Sequence, residues 1–301
     1  MTEKSLPVRA RKDSAASAFE VVRKNTDQHI IDELIEERCP SFAEHWSWPA
    51  LRPVLLGALG YHKAVRWADD MRDMVGNAPF DYLVEELDMA IAVRHLERIP
   101  KTGRVVVIAN HPTGLADGAA VWDVLMRVRK DVMFFANADA VRIVEGFSDT
   151  IIPVEWVQDK RSPAKTRETL KLAGQAFAEE KCIVIFPSGK LAKMVDGKLT
   201  EQDWFSTAVG LARKRKAPIV PLNIEARNSR LYYLFSRLNG ELRDITLFKE
   251  LVNKRRAKLS MTVGPLILPG LLKGDAGEIT DRLHDYVSYD LPQAPNSEFI
   301  G

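Results

Sequence analysis

The stretch Gly103-Arg104-Val105-Val106-Val107-Ile108-Ala109-Asn110-His111-Pro112-Thr113-Gly114-Leu115-Ala116-Asp117-Gly118 decides the fold. Val105 to Ile108 is short, β-branched and unbroken by polar residues, bounded by Gly103 and Asn110. Such a run fits a strand buried on both faces, as in a parallel sheet. Downstream, Asp131 to Ala136, Thr150 to Val154, Ile183-Val184-Ile185-Phe186, Ile219 to Ile224 and Lys258 to Val263 also read as strands. Helical patterns lie between and after them, at Val121 to Val128, Lys165 to Glu180, Phe205 to Arg215, near Asp244 to Asn253 and at Glu278 to Tyr289. Strands separated by helices predict an α/β fold with a mostly parallel central sheet flanked by helices.

Working back toward the N-terminus, Ile30, Ile31, Leu34 and Ile35 share one face of a helix that Cys39-Pro40 ends. Leu51, Val54, Leu55, Leu56, Leu59 and Tyr61 form a short, nearly all-round apolar helix interrupted by Gly57 and Gly60. Trp46, Trp48 and Trp67 flank it. It reads either as a core helix or as one dipping into a lipid surface, where flanking tryptophans are at home. A helix from Pro79 through Leu87 leads into an extended segment, Met89 to Leu96. Three regions follow: a loose arm over 1–27, a helical region over 28–88 with a membrane-facing option, and an α/β domain over 89–301.

The chain has 301 residues, 28% charged and 46% hydrophobic, which is ordinary globular composition. Its 43 Lys and Arg against 41 Asp and Glu leave +2, too balanced for a protein whose main partner is bulk nucleic acid. Two distant cysteines, Cys39 and Cys182, fit a reducing compartment, and none of His29, His45, His62, His95 or His284 falls into metal-ligand spacing. Mean hydropathy is −0.17 and no ~20-residue apolar run occurs, so no spanning helix is expected. Met1 to Lys12 lacks an apolar core, so no signal peptide is expected and a cytoplasmic location follows.

Reactive groups in open parallel sheets sit in loops beyond the carboxyl ends of strands. In the first such loop, Asp117 could orient His111 so that its other nitrogen takes a proton from a hydroxyl. Alternatively, Asp117 only caps a helix and His111 is a satisfied loop residue. In the second, Phe186-Pro187-Ser188-Gly189-Lys190, free backbone amides and Lys190 could hold an anionic group or a developing oxyanion. Ser188 as a hydrolase nucleophile lacks the Gly-x-Ser-x-Gly elbow. Arg213-Lys214-Arg215-Lys216 and Lys254-Arg255-Arg256 read as solvated helix ends or as a patch for anionic lipid, coenzyme A phosphates or an acidic carrier protein.

Asn110-His111 followed by Asp117, then Phe186-Pro187-x-Gly189, then Pro218-Ile219-Val220-Pro221 resembles, over roughly residues 85 to 268, the glycerolipid (lysophospholipid) acyltransferase superfamily, that of 1-acylglycerol-3-phosphate acyltransferases. Arg227-Asn228-Ser229-Arg230-Leu231-Tyr232-Tyr233 and Val263-Gly264-Pro265-Leu266-Ile267 resemble its haemolysin-like branch, some members of which acylate lyso-ornithine lipids. The resemblance implies that 89–301 is an acyltransferase domain. His111 would be the general base on an acceptor hydroxyl and Asp117 would orient it. Asn110, Thr113, Gly114, Phe186, Pro187, Ser188, Gly189, Lys190 and Arg161 would bind substrate. No bound cofactor or metal is implied. The donor would be a fatty acyl thioester of coenzyme A or acyl carrier protein, the acceptor a lyso-lipid, and the enzyme peripheral on the cytoplasmic face of the membrane. A non-catalytic lipid-surface binding protein is the other reading.

Three departures stand out. Five residues separate His111 from Asp117 (an HX5D spacing) where the family usually has four. The family's Phe-Pro-Glu-Gly-Thr-Arg-Ser becomes Phe186-Pro187-Ser188-Gly189-Lys190-Leu191-Ala192. Its Gly-x-x-Phe-Ile-x-Arg block shrinks to Thr150-Ile151-Ile152-Pro153-Val154, without the arginine. Lys190, Lys193 or Arg161 could substitute, though a lysine is a point charge and no bidentate fork.

Overall fold

The computed structural model describes residue 19 and residues 28–155 and 158–301. The arm expected over 1–27 lies outside the described residues, apart from Phe19. Among the described residues nine strands form: β1 (Ala90–Arg94), β2 (Val105–Ala109), β3 (Val132–Asn137), β4 (Ile151–Val154), β5 (Cys182–Ile185), β6 (Lys193–Val195), β7 (Lys198–Thr200), β8 (Ile219–Glu225) and β9 (Lys258–Val263). Seven make one sheet in the order β1-β9-β8-β2-β5-β3-β4, while β6 and β7 form a separate antiparallel hairpin. From β8 to β4 every pairing is parallel. β9 runs antiparallel to β8 and carries β1 parallel to itself. The architecture is therefore α/β with a mostly parallel central sheet.

β2 lies at the centre, buried at all five residues. Its alternate side chains divide between two cores, as a period of two requires. Val105, Val107 and Ala109 join Trp122, Phe80 and Leu125, supplied by the helices Leu115–Met126 and Ala78–Leu87. Val106 and Ile108 join Phe177, Val209 and Leu283, from the helices Pro163–Ala178, Thr207–Arg215 and Ala276–Asp285 on the opposite face. Phe80 stacks on Trp122 with centroids 4.6 Å apart, and Trp122 Nε1 donates to Asp81 Oδ1 at 2.8 Å. The helix before β1 is thereby built into the core of the sheet. A third core gathers Ile30, Ile31, Leu34, Trp48 and Ile245. Arg142 and Lys160 tie this region down through Glu37. Burial would raise that carboxyl, but bonds from both cations hold it at about 2.

Several boundaries differ from the sequence reading. The helix expected at Val121 to Val128 begins at Leu115 and ends at Met126. Gly57 does not break the Trp48–Ala58 helix, but Gly60 does, in the left-handed region at φ 78. The helix expected near Asp244 to Asn253 is two, Gly240–Ile245 and Leu247–Asn253, and a further helix spans Arg230–Leu238. The helix expected at Glu278 to Tyr289 spans Ala276–Asp285 and continues as a π turn over Tyr286–Asp290.

Of the three tryptophans that marked a lipid-facing segment, Trp48 and Trp67 are buried at 6% and 2% exposure, and only Trp46 is exposed, at 86%. Lys254 also departs from expectation: it is buried, whereas Arg255 and Arg256 beside it are exposed. No helix among the described residues is long and apolar enough to cross a membrane.

Candidate active site

The parallel register places Ile108 beside Ile185, so β2 and β5 deliver their next residues side by side. As a result the imidazole of His111 stacks on the ring of Phe186, centroids 4.3 Å apart and 22° from parallel. The His111 backbone is fixed at both ends. Its N–H donates to Glu201 Oε2 at 3.1 Å and its carbonyl accepts from Ala192 N at 3.0 Å.

Asp117 sits in the first turn of Leu115–Met126 and is fully buried. One of its oxygens accepts from Thr113 N at 2.8 Å, Gly114 N at 2.9 Å and His111 Nδ1 at 3.0 Å; the other accepts from the Thr113 hydroxyl. Capping and pairing are thus one structure: the carboxylate that closes the helix N-terminus also holds the imidazole. The five-residue spacing is accommodated at Gly114, whose φ of 91° bends the loop. A Cβ there would lie 2.9 Å from Leu191 Cδ2. A carboxylate only accepts, so His111 Nδ1 carries the proton in this bond and Nε2 is the nitrogen with a lone pair. The imidazole, 17% exposed, can take a proton from a hydroxyl brought to it.

Other expected site residues are placed differently. The side-chain amide of Asn110 is engaged at both ends by Ile224, donating to its carbonyl at 2.9 Å and accepting from its N–H at 2.7 Å, so it ties β2 to β8 while lining a cleft. Ser188 is fully buried and its hydroxyl donates to Lys190 O at 2.8 Å, which removes it as a nucleophile. The amide cradle expected at 188–190 is closed at Gly189, whose N–H donates to Phe186 O at 3.0 Å. Lys190 is exposed. Cys182 is buried and pushed up to about 12, and burial raises Cys39 to about 11, so neither thiol is a ready nucleophile.

Two clefts are lined by residues that adjoin His111. One, of about 320 Å³, is lined by Phe135, Val154, Ile185, Phe186 and Phe205, with Arg161 and Lys165 also on its wall. The other, of about 530 Å³, is lined by Asn110, Pro112, Glu201, Glu225, Arg227 and Tyr289.

Glu201 was invisible in the sequence. It follows the β6–β7 hairpin and reaches His111 across 90 positions. It also lies against Ser188, where the family pattern has a glutamate. Burial raises its carboxyl above the usual 4.5, only partly offset by bonds from His111 N–H, Ser188 and Trp204. The native chain then binds this proton more tightly than the unfolded chain, so stability falls as pH climbs above 4.5. Glu201→Gln cannot titrate. Its melting temperature relative to the native chain should rise between pH 4.5 and neutrality, while turnover falls about tenfold through a loosened His111 loop. Thermal scans at the two pH values check the first effect.

The fold and site together describe an α/β protein with a hydrogen-bonded His–Asp pair beside two clefts. Residues 90–225 match the Acyltransferase family model. A lyso-glycine lipid O-acyltransferase of Phocaeicola vulgatus is 24% identical over 202 residues, 65% of this chain and 70% of that protein. Another, of Bacteroides thetaiotaomicron, is 23% identical over 165 residues, 55% of this chain and 59% of that one. The solved 1-acyl-sn-glycerophosphate acyltransferase PlsC of Thermotoga maritima superposes with a TM-score of 0.47 at 15% identity, covering 89% of this chain and 98% of that one. Residues 90–225 thus match an acyltransferase, and the chain is similar to lipid O-acyltransferases.

Proposed function

We propose that the enzyme moves a fatty acyl group from an acyl thioester to the hydroxyl of a lyso-amino-acid lipid of the glycine-lipid kind. The observation that carries the chemistry is the His111–Asp117 pair, in a loop whose neighbours Asn110 and Pro112 line one cleft and whose stacking partner Phe186 lines the other. Nε2 takes the hydroxyl proton as the hydroxyl oxygen attacks the thioester carbonyl. The tetrahedral intermediate collapses, the C–S bond breaks, and the imidazolium returns the proton to the leaving thiolate. Asp117 stabilises the imidazolium between these steps. No acyl-enzyme is needed.

The apolar cleft beside Phe186 suits the acyl chain, with Arg161 and Lys165 on its wall for the phosphates of coenzyme A or an acidic carrier protein. The polar cleft suits the acceptor head group. Two features favour an amino-acid head over a phosphate: the arginines of both family blocks are missing, and the curated relatives act on lyso-glycine lipids. Both lipids partition into a bilayer. The exposed face of the Trp48–Ala58 helix, with Leu51 at 49% and Val54 at 73% exposure beside Trp46, is the surface through which the enzyme would rest peripherally on the cytoplasmic membrane face.

Purified full chain should be offered labelled palmitoyl-coenzyme A or palmitoyl-acyl carrier protein with lyso-glycine lipid, lyso-ornithine lipid or 1-acylglycerol-3-phosphate. The expected product is O-acylated glycine lipid, with the phosphate acceptor consumed at least about tenfold more slowly. Preferential acylation of 1-acylglycerol-3-phosphate would overturn the choice of acceptor and leave the reaction type intact.

A further inference from the structure

Neither Asn228, Ser229 nor Lys254 enters the steps of acyl transfer, yet the three converge behind the dyad. Lys254, at 6% exposure, donates from Nζ to Asn228 Oδ1 at 3.0 Å and lies 3.6 Å from Glu250 Oε2. Glu250, at 1% exposure, accepts from Ser229 N at 2.7 Å and from the Ser229 hydroxyl at 2.6 Å. Asn228 reaches the other way, its Nδ2 donating to Thr113 O at 3.4 Å. Thr113 in turn gives both its N–H and its hydroxyl to Asp117. A continuous line of contacts therefore runs from Lys254 through Asn228, Thr113 and Asp117 to His111.

Burying an ammonium is costly, and the neighbouring Arg255 and Arg256 show that a cation at this helix end can stay in water. Burial pulls the Lys254 amine down, while Glu250 and Asp117 pull it back up. The charges around it are thus Glu250 on its own helix and Asp117 on Leu115–Met126. Tyr233, whose hydroxyl accepts from Asn228 N at 3.1 Å, is held as a neutral phenol by burial. Glu201 faces His111 from the far side.

We propose that Lys254, seated through Asn228 and Thr113, is a positioning residue that counterbalances the buried carboxylates around the dyad, keeping His111 available as a neutral base. The inference rests on the His111–Asp117 reading above. Without the ammonium, the uncompensated negative charge of Asp117 and Glu250 would favour the imidazolium, which cannot accept a proton. Glu250 works with the opposite sign, because removing it leaves the ammonium uncompensated.

The test is a titration of the His111 side-chain signal by nitrogen-15 NMR in the histidine-labelled full chain, assigned by its loss in His111→Ala. It needs no turnover, so it reads out even if acyl transfer proves not to be the reaction. In Lys254→Met the titration midpoint should move up by about half a pH unit or more, and in Glu250→Gln it should move down by a similar amount. Lys254→Arg, which keeps the charge, should leave it within about 0.2 unit of the native chain. The acid limb of kcat/KM should follow each shift. Midpoints unmoved in the folded variants, or moved in the same direction by Lys254→Met and Glu250→Gln, would overturn the proposal. If Lys254→Met does not fold, the sign in Glu250→Gln decides alone. Should His111→Ala abolish transfer while these midpoints stay fixed, the dyad stands and the role of Lys254 falls.

Discussion

His111→Ala is expected to lower kcat by about 10²- to 10⁴-fold, the range that a positioned general base supplies. The drop should be near the top of that range, because nothing beside it can substitute. Glu201 points its carboxylate at the His111 backbone, Ser188 is buried, and the raised thiol of Cys182 is sealed in the sheet. Stability should change little. The imidazole gives up one ring stack on Phe186 and one bond to Asp117, while the backbone bonds that fix the loop do not involve the side chain. Kinetics alongside thermal melts separate the two effects: activity lost, melting temperature shifted by no more than a few degrees. A melt lowered by tens of degrees would mean that the imidazole is structural.

Asp117→Asn should damage both. Asn offers one accepting oxygen and one donating nitrogen where four donors now converge: Thr113 N, the Thr113 hydroxyl, Gly114 N and His111 Nδ1. With its oxygen toward Thr113 N, Gly114 N and His111 Nδ1, the three bonds remain but a charged acceptor is replaced by a weaker neutral one. With the NH₂ toward them, those buried donors are left unpaired at about 1–3 kcal/mol each. A loss of that size lowers the melting temperature by roughly 2–4 °C per kcal/mol in a chain of a few hundred residues. In either orientation the imidazole loses the negative charge that stabilises its protonated form, so kcat should fall by about 10³- to 10⁴-fold. Asp117→Asn should therefore be less stable than His111→Ala at comparable activity. A variant as stable as the native chain would show that the four bonds to Asp117 are not what closes this loop.

The contrast between the two variants reflects what was legible in the sequence. β2, β5 and β8 could be read because buried parallel strands are continuous apolar runs, and their loops carry His111 and Phe186 at the strand ends. The start of the helix at Leu115 was hidden because Gly114 and Gly118 on either side of Asp117 look like a turn. Gly118 is helical, and only Gly114 uses a positive φ. β6 and β7, three residues each and partly exposed, lack the apolar signature of a strand. Glu201 and Lys254 escaped for a different reason. Each is buried by elements distant in sequence, and Lys254 sits in a Lys-Arg-Arg run that looks solvated from composition alone. Ser188 and Asn110 went the other way: each sits in a motif loop, but its side chain serves the loop's own geometry.

The central claim is direct transfer of an acyl group through His111. Single-turnover transfer from a labelled acyl thioester to a lyso-lipid, with the protein itself followed by intact mass spectrometry, tests it most directly. The native chain should form the labelled ester with no acylated protein at any time point, and His111→Ala should form essentially none. An acyl-protein that accumulates and then decays into product, or ester formed by His111→Ala at the native rate, would contradict it.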